Sequence, residues 1–238
     1  MNKRITVCIP TYEMSGMGKN FLLQGFESLY KQSYRDFDIV VSDQSTDNDV
    51  KKVCQKWGSK MDISYFKFLG ERGSSANTNN AIKRSTGEII KILFMDDFFF
   101  DNGALGTMVE MFDKEPNKNW LVTACGHLYE TSGHIGNFMV PSYHKDIHLG
   151  KNTISSPSVL SIRNINPLYF DEKLSWLMDV EYYKRLYDSF GLPMILDIPC
   201  IVNRIHSNSI TTSLSSECGI KERELNYIMN KFSKEHLK

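Results

Sequence analysis

Two adjacent carboxylates, Asp96 and Asp97, are the residues of this sequence whose types and spacing most directly suggest chemistry. They follow residues 88–95, an apolar, β-branched segment typical of a buried strand in a parallel sheet. Ligands of open α/β sheets bind beyond the carboxyl ends of the strands. Paired hard oxygen ligands there suit Mg²⁺ or Mn²⁺ bound to a phosphorylated substrate. The alternative is that the pair caps the following helix or forms a turn.

Strands and helices alternate along residues 1–101. The predicted strands are 4–10, 36–43, 63–68 and 88–95. Helical spacing of Leu22, Phe26, Leu29 and Tyr30 predicts a helix after the first strand. A second helix is predicted to begin near residue 45, and a third to end near residue 82. Strands that alternate with helices imply a right-handed, mostly parallel, doubly wound α/β sheet.

The second half of the sequence is less regular. Helices are predicted at 102–112, 178–190 and 221–237, and strands at 120–125, 158–163 and 194–202. Residues 127–157 are rich in Gly, His, Ser and Asn without periodicity, which is typical of a mobile active-site segment. The tail helix carries Leu225, Ile228, Met229 and Phe232 on one stripe. The stripe favours packing on the domain, while dimer formation and membrane contact stay open.

The composition excludes several classes of protein. The 28 basic and 28 acidic side chains cancel, so nothing indicates the basic face that nucleic-acid binding requires. The five cysteines are scattered, which argues against a disulfide framework or a zinc site. No signal peptide opens the sequence, and no apolar segment approaches the roughly 18 residues of a membrane span. We therefore expect a cytoplasmic protein, with peripheral contact to the inner face of the membrane still open.

An ordered set of motifs covers nearly all of residues 1–101. The motifs are Ile9-Pro-Thr-Tyr-Glu13, residues 32–47 (QSYRDFDIVVSDQSTD), residues 72–82 (RGSSANTNNAI), Thr86-Gly-Glu-Ile-Ile90 and the Asp96-Asp97 pair. In this order they resemble the nucleotide-sugar half of the GT-A glycosyltransferases, specifically the inverting enzymes of family two. The resemblance implies a single GT-A domain over 1–238, with a nucleotide-sugar-binding half at 1–101, an acceptor-binding half at 102–216 and a C-terminal helix at 217–238.

The resemblance assigns the nucleotide to residues at the ends of the first two strands. Pro10, Thr11 and Tyr12 match the segment that packs on the base, and Glu13 lies just beyond it. Asp43 matches the carboxylate that hydrogen-bonds the base or the ribose. The implied donor is a nucleotide-sugar, with a UDP-sugar as the first choice.

The Asp-Asp pair matches the metal-binding motif of the family. We expect Asp97 to bind Mn²⁺ or Mg²⁺ and Asp96 to face the ribose and diphosphate. A divalent ion on the diphosphate neutralises the charge that grows as the nucleotide leaves. The family often has a third carboxylate in this motif, where this sequence has Phe98.

Two further features concern the diphosphate. An Arg that is common in the Gly-rich helix of the family is Thr78 here, so Arg72 or Ser75 is expected to serve the phosphates. His206 lies in residues 204–211, which look like the late His-containing loop of the family. We expect His206 either to reach the metal or diphosphate or to be a structural hydrogen-bonding residue.

The second half is expected to bind the acceptor and to supply the catalytic base. Residues 150–158, which end at Ser158, resemble the segment before the acceptor-side strand of the family. Residues 170–185 resemble the stretch that supplies the base, where the family usually has Glu-Asp and this sequence has Met178-Asp179. An inverting transfer needs a carboxylate to accept the proton of the acceptor hydroxyl. Asp179 is predicted to be that carboxylate.

Other roles for residues of this stretch remain open. Asp179 could cap the helix that follows it, as Asp often does. Glu181 and Asp171 are rival candidates for the base. Trp176 could stack on the face of a sugar or belong to the core.

The sequence thus predicts an inverting, metal-dependent hexosyl- or N-acetylhexosaminyltransferase. The resemblance implies that it extends a lipid-linked glycan acceptor at the cytoplasmic face of the membrane. The implied pathway is the synthesis of bacterial O-antigen or capsule polysaccharide. One alternative is a sugar-phosphate nucleotidyltransferase, although residues 11–18 lack the Arg of the phosphate loop that such enzymes have. The other is a non-catalytic nucleotide- or sugar-binding module of the same fold.

Overall fold

The strands of the protein form one mixed sheet. The structure, a computed structural model, describes residues 3–207, 209 and 219–235, with the backbone alone for 234 and 235. The strands are β1 Ile5–Thr11, β2 Phe37–Asp43, β3 Ile63–Lys67, β4 Ile89–Ile92, β5 Phe98–Phe99, β6 Trp120–Tyr129, β7 His134–Met139, β8 Leu160–Arg163 and β9 Met194–Ile205. The helices are α1 Gly18–Tyr30, α2 Asp49–Trp57, α3 Ser74–Lys83, α4 Ala104–Lys114, α5 Met178–Phe190 and α6 Ile220–Glu235. Within the described residues the strand order is β3-β2-β1-β4-β8-β6-β9-β5, and β7 pairs with β6.

The first four strands, β1 to β4, are parallel. β1 pairs with β2 and β4, and β2 pairs with β3. Helices α1, α2 and α3 connect them, as parallel neighbours require. Every residue of β1 and β4 is buried, which shows that both faces of the sheet are covered. The predicted α/β class is therefore confirmed.

Antiparallel strands join the two halves in the same sheet. β8 lies between β4 and β6 and is antiparallel to both, whereas β6 and β9 are parallel. β5 directly follows the Asp pair and is antiparallel to β9, so Phe98 lies opposite Val202. Because the next helix, α4, begins only at Ala104, the Asp pair does not cap it.

The segment predicted to be irregular, residues 127–157, is partly regular. β6 continues to Tyr129 and forms a hairpin with β7. Every residue of β7 is exposed or half-buried, so this strand forms by pairing with β6 and lacks the apolar alternation that reveals a strand in sequence. The prediction was wrong for these residues. β8 begins at Leu160 because Pro157–Val159 form a 3₁₀ turn.

The tail helix α6 packs on the second half through the predicted apolar stripe. Ile228 and Phe232 are buried and Leu225 is half-buried, whereas Met229 is 47% exposed. Packing on the domain is therefore the observed arrangement. Among the described residues, no helix is both long and apolar enough to cross a bilayer. Residues 208, 210–218 and 236–238 of the predicted late loop and tail lie outside the described residues.

A lysine in the middle of β4 ties the two halves together. Lys91 is fully buried, and its Nζ donates to the carbonyl oxygens of Ser158 and Leu160, the latter at 3.3 Å. Burial lowers the pKa of Lys91 to about 7. These bonds hold the turn before β8 against β4, next to the site described below.

Candidate active site

A cavity of about 640 Å³ lies at the carboxyl ends of β1 and β4, where ligands of open α/β sheets bind. From the first half it is lined by Pro10, Tyr12, Met14, Gln44, Arg72, Gly73, Ser74, Asn77, Phe94, Met95, Asp96 and Asp97. From the second half it is lined by His127, Ser155, Ser156, Pro157, Ser175, Trp176, Met178, Asp179, Asn203, Arg204, Ile205 and Ser209. Its volume falls within the range of about 300–1,000 Å³ that is usual for small-molecule sites.

The residues predicted from sequence divide into two groups around this cavity. Those that line it are Pro10, Tyr12, Arg72, Asp96, Asp97, Trp176 and Asp179. Those that do not line it are Thr11, Glu13, Asp43, Ser75, Ser158 and His206. Both halves of the chain therefore bring predicted residues to one cavity.

Asp43 is fully buried at the end of β2. Its carboxylate accepts hydrogen bonds from the N–H and hydroxyl of Ser45, at 2.8 and 2.5 Å, and from the Tyr65 hydroxyl at 2.7 Å. The Lys67 ammonium lies 3.4 Å away. These contacts hold the loop after β2, whose next residue, Gln44, lines the cavity. The contact of Asp43 with a base or ribose stays a prediction.

Arg72 reaches the loops that follow β1 and β2. Its Nη2 donates to the Gln44 carbonyl oxygen at 3.0 Å and lies 3.3 Å from Glu13 Oε1. Glu13 Oε2 in turn accepts the Thr46 N–H at 3.2 Å. The Arg72 side chain is 62% exposed, so its ion pair with Glu13 is weak and easily exchanged for another anion. Arg72 thus offers the cavity a positive charge.

Ser75, the other residue predicted for the phosphates, does not line the cavity. It is buried, and its hydroxyl donates to the Leu174 carbonyl oxygen at 2.6 Å, which ties α3 to the second half. The N-terminus of α3 reaches the cavity through Gly73, Ser74 and Asn77. Backbone N–H groups and the dipole at a helix N-terminus favour phosphate groups.

Asp97 is held by β9. Because Phe98 pairs with Val202, the Arg204 N–H comes within 2.9 Å of Asp97 Oδ1 and donates to it. Asp97 Oδ2 has a longer contact, 3.4 Å, with the Ser156 hydroxyl. Burial raises the pKa of Asp97, and the neighbouring carboxylate raises it further.

Asp96 contacts His206. Its Oδ2 lies 3.0 Å from His206 Nε2, and the His206 side chain is fully buried with its ring centroid 4.9 Å from that of Phe21. Arg204 Nε also donates to the Asp96 carbonyl oxygen at 3.0 Å. In this arrangement His206 is a structural partner of Asp96. Its reach to a metal or diphosphate stays a prediction.

Asp96 and Asp97 supply the hard oxygen ligands that Mg²⁺ and Mn²⁺ prefer. Within residues 3–207, 209 and 219–235, no three His, Cys, Asp or Glu side chains form a cluster that could hold a metal ion. Mg²⁺ is usually bound by one or two carboxylates together with substrate phosphates. The residues therefore fit a divalent ion that binds jointly with a diphosphate.

Asp179 lies in the first turn of α5 and lines the cavity. Its Oδ2 accepts a hydrogen bond from Asn152 Nδ2 at 2.6 Å, and its Oδ1 accepts the Val180 N–H at 2.7 Å. Burial raises the pKa of Asp179 to about 7. A carboxylate with such a pKa suits general-base catalysis at neutral pH.

The segment that leads into α5 is held by a residue from another helix. Leu177, at the capping position, has no side-chain acceptor. The Glu224 carboxylate of α6 accepts the N–H groups of residues 175–177 instead. Asp179 itself accepts the Val180 N–H of the first turn at 2.7 Å, so it also caps its own helix while it lines the cavity.

The two rival carboxylates lie outside the cavity. Glu181 is fully buried and pairs with Arg185 at 2.6 Å and with Lys231 at 2.7 Å. Asp171 accepts hydrogen bonds from Lys231 Nζ at 2.7 Å and from the Tyr227 hydroxyl at 2.9 Å. Neither lines the cavity, so Asp179 is the one of the three that can meet a ligand there.

The two residues predicted on the acceptor side differ in position. Trp176 lines the cavity and is a candidate for contact with a sugar. Ser158 is fully buried, and its hydroxyl accepts the Phe94 N–H at 2.9 Å. In this arrangement Ser158 supports the end of β4, which leads into the Asp pair.

A hydrogen-bonded group on the second-half wall was not predicted from the sequence. Ser155 has a φ of 98°, in the left-handed region that favours glycine. Asn152 Oδ1 accepts the Ser155 N–H at 2.9 Å, and Asn152 Nδ2 donates to the Ser155 carbonyl oxygen at 3.0 Å. Asn203 Nδ2 donates to the Ser155 hydroxyl at 2.7 Å, and Ser156 donates to Asn203 Oδ1 at 3.0 Å. Backbone strain of this kind persists where several hydrogen bonds hold the residue in place, and it is common at functional sites.

Comparison with known proteins identifies relatives of the chain. The Glycosyl transferase family 2 model matches residues 6–153, more than half of the chain. The GalNAc(5)-diNAcBac-PP-undecaprenol beta-1,3-glucosyltransferase of Campylobacter jejuni is 29% identical over 109 residues, 45% of this chain and 34% of the relative. An uncharacterized glycosyltransferase of Rickettsia typhi is 22% identical over 247 residues, 98% of this chain and 74% of the relative. The chain thus spans about a third of the Campylobacter relative.

Solved structures share the fold. TarS of S. aureus superposes with a TM-score of 0.67 at 20% identity, over 87% of this chain and 37% of TarS. The mannosyltransferase PcManGT of Pyrobaculum calidifontis, in complex with GDP-Man and Mn²⁺, gives 0.61 at 16% identity, over 85% of this chain and 57% of that protein. These likenesses confirm the GT-A glycosyltransferase fold. The chain belongs to glycosyl transferase family 2.

Proposed function

We propose that the protein is an inverting glycosyltransferase that moves a sugar from a nucleotide-sugar to a hydroxyl group of a glycan. The observation that carries this proposal is that Tyr12, Asp96 and Asp97 from one half and Asp179 from the other line the same cavity. Transfer requires the reacting groups of donor and acceptor to be held in contact. A cavity walled by both halves provides for that contact.

The donor we propose is a UDP-sugar. Pro10 and Tyr12 offer an apolar and aromatic surface for the base, and Gln44 adds a polar side chain. Arg72 and the N-terminus of α3 provide positive charge and N–H groups for the phosphates. The choice of UDP is supported by TarS 1–349, which shares the fold and is solved in complex with UDP and with UDP-GlcNAc. PcManGT, with GDP-Man, makes GDP the competing choice.

Asp96 and Asp97 are the residues that would hold Mn²⁺ or Mg²⁺. Bound together with the diphosphate, the ion supplies positive charge against the negative charge that develops on the leaving nucleotide. Arg72 would contribute to the same stabilisation from the α3 side of the cavity. The hydrogen bond from the Arg204 N–H keeps Asp97 in place.

Asp179 accepts the proton of the acceptor hydroxyl while the hydroxyl oxygen attacks the anomeric carbon. Among the described residues that line the cavity, Asp179 is the carboxylate apart from the Asp96–Asp97 pair. This favours one direct displacement, with inversion, over a covalent intermediate. Ser155 and Asn203 offer hydrogen bonds to sugar hydroxyls, and Trp176 offers a ring for stacking.

The acceptor we propose is a glycan on a lipid carrier, in bacterial surface-polysaccharide synthesis at the cytoplasmic face of the membrane. The support is the printed name of the Campylobacter relative, which specifies a glycan on PP-undecaprenol. That relative shares 109 aligned residues with the chain. The sugar transferred is a hexose or an N-acetylhexosamine in this proposal.

A product assay tests the proposal. The protein is incubated with labelled UDP-sugars, Mn²⁺ and undecaprenyl-diphosphate-linked glycans, and the products are analysed by NMR. We expect a new glycosidic bond whose anomeric configuration is opposite to that of the donor. Formation of pyrophosphate from a nucleoside triphosphate and a sugar phosphate would instead identify a nucleotidyltransferase. Nucleotide binding without turnover of any tested pair would identify a binding module.

A further inference from the structure

The segment before α5 donates three successive N–H groups to one carboxylate. The N–H groups of Ser175, Trp176 and Leu177 donate to Glu224 of α6 at 2.8, 3.0 and 2.8 Å. Glu224 is buried, with 7% exposure. These residues precede α5, which begins at Met178, so their N–H groups have no partner inside the helix and need an acceptor elsewhere. A carboxylate is well suited because it also faces the positive end of the helix dipole.

Other contacts of α6 hold Glu224 in register with this segment. Lys231 Nζ donates to both Asp171 and Glu181 at 2.7 Å. The Tyr227 hydroxyl donates to Asp171 at 2.9 Å. α6 is therefore bonded at both ends of residues 171–181, with Glu224 bound to the backbone between them.

We propose that Glu224 is a positioning residue for the acceptor side of the active site. Ser175 and Trp176, whose backbone it binds, line the cavity, and the third residue it binds, Leu177, comes two positions before Asp179. By fixing these three N–H groups, Glu224 sets the direction in which α5 begins. It thereby orients Trp176 and Asp179 toward the acceptor. This inference rests on the proposed function, in which Asp179 is the base.

Glu224 also acts on Asp179 through its charge. Burial is the main cause of the raised pKa of Asp179, and repulsion from the Glu224 carboxylate adds to it. Tyr183 also lies close to Asp179, and burial holds the pKa of Tyr183 well above its usual range, so it is neutral. Asn152, from the loop side, contributes an uncharged hydrogen bond. Neutralising Glu224 therefore lowers the pKa of Asp179, and exposing the positive end of the helix dipole acts in the same direction.

The test compares Glu224→Gln with Glu222→Gln, the same substitution at an exposed position two residues earlier in α6. In Glu224→Gln we expect the KM for the acceptor to rise several-fold. The acidic limb of the kcat/KM profile should move to lower pH by about half a unit or more. Donor affinity should stay unchanged, because the residues proposed to bind the nucleotide, Pro10, Tyr12 and Arg72, are not bonded to Glu224. Glu222→Gln should match the wild type in every respect.

A second variant separates position from charge. Glu224→Asp keeps the negative charge on a side chain that is one methylene shorter and cannot reach all three N–H groups. We expect a raised KM for the acceptor with the acidic limb at the wild-type pH. This variant carries the test if Glu224→Gln does not fold.

A ¹³C NMR titration of the Asp179 carboxyl carbon, assigned with Asp179→Asn, reads the same effect without turnover. A lower pKa in Glu224→Gln than in the wild type is expected. If this difference is found but the wild type transfers no sugar, the proposed function fails and the link between Glu224 and Asp179 stands. A variant that loses thermal stability but keeps the wild-type Asp179 pKa and acceptor KM would overturn the inference.

Discussion

The Nδ2 of Asn152 lies 2.6 Å from Oδ2 of Asp179 and donates a hydrogen bond to it. The same amide nitrogen lies 3.0 Å from the carbonyl oxygen of Ser155, the residue with a φ of 98°. One side chain therefore connects the proposed base to the strained residue of the same wall. Asn152 orients the base and shapes the surface that the acceptor meets.

Asn152→Ala should reduce kcat/KM by about tenfold to hundredfold, because a small displacement of a catalytic group has an effect of this size. Nucleotide binding, measured by calorimetry, should not change. The matched control is Asn226→Ala, at an exposed position of α6. Full activity in Asn152→Ala would show that its hydrogen bond to Asp179 has no part in catalysis.

Asp179→Asn should lower kcat by at least about hundredfold, because the amide cannot accept the proton of the acceptor hydroxyl. It should leave the affinity for the donor at the wild-type value. Transfer is followed by nucleotide release in the presence of acceptor, and affinity by calorimetry. Near-wild-type transfer would move the base to another residue.

Asp179→Asn should also stabilise the protein at alkaline pH. The pKa of Asp179 is about 7 in the folded protein and 3.8 in an unperturbed carboxyl, so the protonated form favours folding. This contribution is complete below pH 4 and is lost as the pH rises through 7. Since the side chain is half-buried, the neutral variant should gain about 1 kcal/mol at pH 8 and nothing near pH 4. Urea unfolding at both values measures this, and equal stabilities at pH 8 would contradict it.

Mn²⁺ and the nucleotide should each strengthen the binding of the other. The described residues fit an ion whose coordination shell is completed by the phosphates of the nucleotide. Asp97→Ala should abolish the part of nucleotide binding that needs Mn²⁺. It should also lower stability by about 1–3 kcal/mol, because the Arg204 N–H loses its acceptor. The control is Asp197→Ala, at an exposed position of β9. Unchanged Mn²⁺-dependent binding in Asp97→Ala would refute the metal assignment.

The sequence was sufficient for the sheet of the first half and for the residues at its strand ends. Apolar runs mark β1, β2 and β4, and parallel pairing brings Pro10 and Asp96 to one edge. It was not sufficient for the hydrogen bonds of each polar side chain. Asp43 is at the predicted strand end, yet Ser45 and Tyr65 satisfy its carboxylate, and spacing along the chain carries no information about such partners.

The second-half wall depends on contacts between distant residues. Glu224 binds the segment before α5, which begins 46 residues earlier, and no local pattern encodes that contact. Asn203 could have been located, since the parallel strand β9 ends at the same edge as β1. The sequence of β7 carries no strand pattern, because this strand forms by pairing with β6 and none of its residues is buried.

The most direct test of the central claim, a nucleotide-sugar site in this cavity, is a thermal-shift panel. The protein is heated with UDP, GDP, CDP or dTDP, each with and without Mn²⁺. A nucleotide at 100 times its Kd adds about 2.7 kcal/mol of apparent stability, which is easily detected. We expect UDP to raise the melting temperature only when Mn²⁺ is present. No shift with any of the four nucleotides, with or without the ion, would contradict the claim.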